Sequence, residues 1–210
     1  VPVAAAVLWL MRRSSHAGPA QGIRVMPAEV VAWGAHLLVH AALLAWSCTV
    51  VFVARRGAWP EAAMLAAPLA LMTWMLWQQG RGRWPFTLHA PSWHRHLAWP
   101  LLAVGVLWAL LVDVSSSAAM RPLPYLPLLN PIDLMHVALA VMALRLSRHS
   151  LRPSFVDVRL LSVVLGASGF VWLSSMLART VHHWAGSPLW LEGALGSSTV
   201  QTGLSVLWTA

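Results

Sequence analysis

Lysine is absent from this sequence, acids are scarce and cysteine occurs once. All 14 basic charges of the 210-residue chain are arginines, set against six Asp and Glu. Charged residues make up only 10%, where a soluble domain carries roughly 25%. A chain of this size with so few charges cannot dress a globular surface with polar groups. The single Cys48 excludes a disulfide framework and a thiolate zinc site. Disorder is excluded as well, because 59% of residues are hydrophobic and the mean hydropathy is +0.67. An integral membrane protein remains.

Nucleotide-binding and hydrolase signatures are missing too. The chain has no phosphate loop of the Gly-x-x-x-x-Gly-Lys type, no Gly-x-Gly-x-x-Gly, no His-Glu-x-x-His and no Gly-x-Ser-x-Gly. No cofactor and no metal is expected on these grounds.

What is present is apolar sequence in blocks. Five stretches, 28–54, 61–77, 97–112, 132–146 and 160–177, lie between two shorter apolar runs at the ends, 1–11 and 199–210. The backbone in lipid must satisfy its own hydrogen bonds, which helices do, and the ~10-residue alternation of a membrane barrel is not seen. The expected fold is an all-α polytopic transmembrane bundle of about seven helices, the first and last truncated. Residues 1–210 then form one transmembrane helical segment of a larger polytopic membrane protein. Its other helices and the lipid bilayer are its expected partners. Pro68 should kink its helix, and Pro100 should sit at a helix start.

The arginines cluster between these blocks and form no single basic face, which argues against a nucleic-acid partner. Ten of the 14 fall in the loops 11–27, 78–96 and 145–159. The positive-inside rule puts those loops in the cytoplasm and loops 113–131 and 179–198 outside. Trp33, Trp59, Trp77, Trp84, Trp99, Trp184 and Trp190 lie near expected helix ends, as in an interfacial belt.

Candidate functional residues concentrate in the two outer loops. Four prolines fall in the ten residues 122–131, and the stretch ends in Asn130-Pro131-Ile132-Asp133, an arrangement that caps a helix with Asn130, starts it with Pro131 and places Asp133 to bond back to the cap N–H. Arg179 and His183 are four apart and share a helical face, whereas His182 points elsewhere. Glu192 is the expected charge partner of Arg179. Tyr125, Asn130, Arg179, His182 and His183 are candidate substrate-binding residues, with anionic lipid head groups as a possible ligand class. Asp133, Glu192 and His183 are the catalytic candidates. Asp113 is expected at the interface. His36 and His40, also four apart, lie within an apolar stretch and either bond a neighbouring helix or mark an ion path. His89, His94 and His96 surround Trp93 in an Arg-containing loop and suggest contact with anionic lipid heads. Ser162, Gly166, Ser168 and Gly169 form a small-residue face suited to helix packing.

Residues 122–133 (PLPYLPLLNPID) and 179–208 (RTVHHWAGSPLWLEGALGSSTVQTGLSVLW) resemble the bacterial predicted membrane proteins grouped as domain of unknown function 2339, covering about 42 of 210 residues. The resemblance implies a very large inner-membrane protein of the cell envelope with this chain as an internal piece. It implies no activity, cofactor or catalytic residue. The favoured function is a non-catalytic component, a transporter-like body or an envelope scaffold. The alternative is a membrane enzyme acting on a lipid-linked substrate at the outer, periplasmic face, with a carboxylate as general base and Arg179 on a phosphate.

Overall fold

The computed structural model describes residues 39–43, 45–46, 57–83, 86–87, 90–149 and 156–209. His36, His89, Trp33 and Trp84 lie outside them. Every regular element among the described residues is helical. We number five helices: α1 (Ala58–Gly80), α2 (Ala90–Ser115), α3 (Pro131–Ser147), α4 (Val158–Ala185) and α5 (Ser198–Thr209). Residues 39–43 and 45–46, including an exposed His40, are helical as well.

Two of the helices, α2 and α4, are long and apolar enough to cross a membrane. The 17 residues of α3 span ~25 Å, short of a ~30 Å hydrocarbon core. The 28 residues of α4 span ~42 Å, longer than that core, so α4 tilts or projects beyond it. Its last turns hold Arg179, His182 and His183, which the charge pattern alone assigns to a loop. Gly186 stops the helix. Its φ of 71° is a left-handed value that glycine adopts without steric cost, and its N–H closes the last turn on the His182 carbonyl at 3.0 Å.

Two prolines behave differently from expectation. Helix α1 continues through Pro68 as one element. Pro100 lies well inside α2, directly after a π-helical turn at His94–Ala98. A proline in a regular helix loses its N–H bond and presses its ring on the carbonyl four residues back. The widened turn, in which the Trp99 N–H reaches the His94 carbonyl five residues back, relieves that crowding.

The core is a three-helix seam. Leu65, Leu69, Met72 and Met75 of α1 meet Leu102, Trp108 and Ala109 of α2 and Ile132, Leu139 and Met142 of α3. In lipid such contacts are driven by close packing rather than by water exclusion. Gly105 makes the closest approach, since a Cβ there would stand 2.7 Å from a Leu139 methyl and 3.3 Å from a Leu65 methyl. Trp99, expected in the interfacial belt, is instead buried at the edge of this core, while Trp59, Trp77 and Trp184 are exposed.

Helix α4 is fully buried only towards its C-terminal end, at Ser174, Ser175, Ala178 and Arg179, while Leu161 and Leu165 of its N-terminal half are partly buried against the core. The expected packing face on its N-terminal half is open among the described residues: a Cβ on Gly166 or Gly169 would meet nothing within 4 Å. The small residues that take neighbours lie further along. Trp190 and Trp208 donate to Ser175 Oγ and Ser174 Oγ, both at 3.1 Å, and Gly203 of α5 approaches Leu177.

Consecutive helices run in opposite directions. Ala58, Ala119, Ser117 and His183 meet at one end of the bundle through Ala58 N to Ala119 O and His183 to Ser117 O. Gln79, His94 and His149 meet at the other.

Candidate functional site

The first end of the bundle holds a buried charge cluster drawn from three helices. Arg179 of α4 is fully buried. Its Nε donates to the Ser116 carbonyl at 3.2 Å, and its Nη2 to the Val112 carbonyl at 2.8 Å and to Asp113 Oδ1 at 3.1 Å. Three acceptors in fixed directions suit the planar guanidinium fork. Nη1 faces Asp133 Oδ1 at 3.8 Å and has no hydrogen-bond partner among the described residues. The guanidinium therefore ties the C-terminal end of α2 to the first turn of α3.

Asp133 is held from all sides. Its Oδ1 accepts from Trp172 Nε1 at 2.8 Å, and its Oδ2 from Asn130 Nδ2 at 2.5 Å and Leu128 N at 3.1 Å. The expected return bond to the Asn130 backbone is thus replaced by one to the Asn130 side chain. Asn130 caps α3 as expected, with Oδ1 accepting from Ile132 N at 2.9 Å and Asp133 N at 3.0 Å. A carboxylate at a helix N-terminus also gains from the positive end of the dipole.

His136, one turn after Asp133, completes the cluster. Its Nδ1 lies 2.9 Å from the Ile132 carbonyl and its Nε2 3.2 Å from Asp113 Oδ2. The imidazole thus bridges the α3 backbone and the Asp113 carboxyl of α2. The ring is stacked on Trp172 at 5.5 Å between centroids. Glu61 of α1 adds a further link, its carboxylate accepting from Ser116 Oγ.

A polar cavity of about 470 Å³ lies at the same end, lined by Ser117, Arg121, Tyr125, His182, His183 and Trp184 among others. His183 donates from Nε2 to the Ser117 carbonyl at 2.7 Å, and His182 from Nδ1 to the Ser187 carbonyl at 2.6 Å. Tyr125 stacks on His183 at 4.5 Å with planes 15° apart. Burial, and then the negative charge of Asp133, push the Tyr125 phenol up to about 12, against the pull of Arg179.

Several expectations are corrected here. Glu192 is not the partner of Arg179: it is exposed, and its carboxylate accepts from Leu189 N at 3.2 Å to close its own 3-10 turn. Asp113, near the C-terminal end of α2, is buried in the protein, with Arg179 and His136 on its two oxygens. His94 and Trp93 do not meet lipid heads, because both are buried at the opposite end of the bundle. His94 Nε2 pairs with Gln79 Oε1 at 2.9 Å and its ring lies 4.3 Å from that of His149, which burial holds below the usual histidine range. Of the sequence-based candidates, Asn130, Asp133 and Arg179 come together in the charge cluster, Tyr125, His182 and His183 line the cavity, and Glu192 joins neither group. His136 and Trp172 were not candidates. The i,i+3 spacing of His136 from Asp133 carries a signal, whereas nothing in the sequence marks Trp172.

Long apolar helices, exposed aliphatic flanks and charges sequestered in a self-compensating cluster define a helical membrane protein. The chain belongs to the family described as predicted membrane protein, DUF2339, whose model matches residues 1–210. No curated protein and no solved structure shows a significant match.

Proposed function

We propose that this chain is a non-catalytic membrane body, an envelope scaffold in the bacterial inner membrane, with the charge cluster and polar cavity on the periplasmic side and seven helical segments in the bundle. One observation carries this reading: the carboxylates and the guanidinium that the chemistry would need are consumed internally. A general base must reach its substrate's proton. Asp133 is wholly buried, with donors on both oxygens. Arg179 is spent on α2 and Asp133, and Glu192 on its own turn. The scaffold form is favoured over a transporter because Leu65, Leu69, Leu102, Leu139 and Met142 fill the seam between the polar ends. A solute path would need polar groups in that layer.

The test compares assembly with biological output in the full-length protein. Arg179→Ala leaves Asp113 and Asp133 without their guanidinium and is expected to cost about 3–5 kcal/mol in detergent unfolding. Asp133→Asn and Glu192→Gln address the enzyme alternative. For a scaffold, complementation of a deletion strain follows the melting temperature: any variant that melts like wild type complements. An Asp133→Asn or Glu192→Gln protein that melts normally yet fails to complement would move the assignment to the enzyme.

A further inference from the structure

The polar cavity adjoins an apolar groove, and together they have the form of an amphiphile site. The groove, about 360 Å³, runs between α1 and α3 and is lined by Trp59, Ala66, Leu129, Leu134 and Met135. Met120 and Leu123 line both spaces, which are therefore neighbours.

The cavity has an electropositive lining without a carboxylate. Arg121 is exposed on it and makes no ion pair among the described residues. The acids closest in the fold are already engaged: Asp113 and Asp133 in the buried cluster, Glu61 by Ser116 Oγ. His182 and His183 each donate one ring N–H to a backbone carbonyl, which fixes both rings in the cavity wall and leaves Arg121 as its fixed cation. Tyr125 acts as a platform, its ring stacked beneath His183.

The frame is also built in advance. Loop 116–130 is fastened to α1 by Ala58 N to Ala119 O at 3.0 Å, to α4 by His183 to Ser117 O, and to α3 by Leu128 N to Asp133. A site fixed by its own scaffold loses little entropy on binding.

We propose that these two spaces hold one phospholipid-type anion, its phosphate head group on Arg121 beside the two histidine rings and its hydrocarbon chain along the α1–α3 groove. Charge complementarity selects the head group. The exposed aliphatic faces on either side of the groove, Leu129 at 67% and Leu134 at 47%, supply the surface a lipid chain covers. The occupant is a lipid rather than free phosphate because the cationic cavity lies beside an apolar groove that an inorganic ion would leave empty. This site does not depend on which face of the membrane it occupies, nor on the scaffold reading.

Native mass spectrometry of the full-length protein in detergent tests this, titrated separately with dioleoyl phosphatidylglycerol, dioleoyl phosphatidylcholine and inorganic phosphate. Wild type is expected to retain one phosphatidylglycerol in preference to phosphatidylcholine by roughly tenfold, the equivalent of one charged hydrogen bond. Arg121→Gln, at an exposed position, should erase the preference. Ala66→Phe, which fills the groove, should weaken retention of both lipids. Melting temperatures confirm that both variants fold. Equal retention of the two lipids, or a preference that survives Arg121→Gln, overturns the proposal. Phosphate displacing the lipid, with Ala66→Phe indifferent, overturns it in favour of a free-anion site.

Discussion

Tyr125 is the lone tyrosine of this segment, and its environment gives it a measurable signature. The ring is packed between loop 116–130 and His183, and the phenol faces the field of Asp133. The neutral phenol is favoured for two reasons: burial removes the water an anion needs, and a like charge stands nearby. An acid held above its ordinary value contributes stability that is complete below the unfolded value of 10.0 and is lost as pH rises towards about 12. Ultraviolet difference spectra should therefore show no Tyr125 tyrosinate at pH 10.5 in the folded protein, with absorbance appearing on unfolding at that pH. The comparison is with a Tyr125→Phe protein, which isolates this phenol from other tyrosines in the full chain. Ionisation of the folded protein near 10 would mean that the stacked arrangement does not persist. The same residues show what a sequence can and cannot disclose about a site. Asp133 and Arg179 stand out because charge inside apolar sequence requires compensation. Their true partner, Asp113, is separated from them by 20 residues or more of chain, and only the antiparallel return of α2, α3 and α4 brings the three together.

At the scale of elements, the close approach at Gly105 sets how α1, α2 and α3 meet. Both neighbours, Leu65 and Leu139, are buried, so neither methyl has open space to retreat into. Gly105→Leu should force the helices apart and destabilise the protein by about 1–3 kcal/mol, measured by chemical unfolding in detergent against wild type. Gly166→Leu, with nothing within 4 Å of its Cβ, is the control and should change little. Equal effects at both positions would contradict the seam described here. Helix positions were legible because hydropathy reports which residues avoid water, and each described apolar stretch contains a helix. Helix ends were less legible. The last two turns of α4 carry Arg179, His182 and His183 and read as loop, yet their polar groups find internal partners and the helix continues to Ala185. The start of α2 was hidden in the same way, with His94 buried and its Nε2 paired to Gln79. The small-residue face of α4 was legible as a pattern but not as a contact, since pattern does not name the neighbour.

For the whole molecule, the buried cluster changes the charge arithmetic that orients the chain. Arg179 belongs to the periplasmic loop when arginines are tallied from sequence, but it is buried and paired and contributes no loop charge. Among the described residues, the exposed arginines at the His94–His149 end are Arg81, Arg83, Arg95, Arg145, Arg148 and Arg159, while the cavity end exposes Arg121. The asymmetry that drives positive-inside insertion is therefore steeper than the loop tally implies. Single cysteines in a full-length background cleared of native cysteine, Cys48 included, test the orientation. Cysteine in place of Leu191, 77% exposed at the cavity end, should react with a membrane-impermeant maleimide in intact cells. Cysteine in place of Arg148, exposed at the other end, should react only after permeabilisation. The reverse pattern would place the cavity in the cytoplasm and leave the fold intact, whereas labelling of both in intact cells would mean that these helices do not cross the bilayer as a bundle. The first pattern is expected because moving six exposed guanidinium groups across the membrane is the costlier alternative.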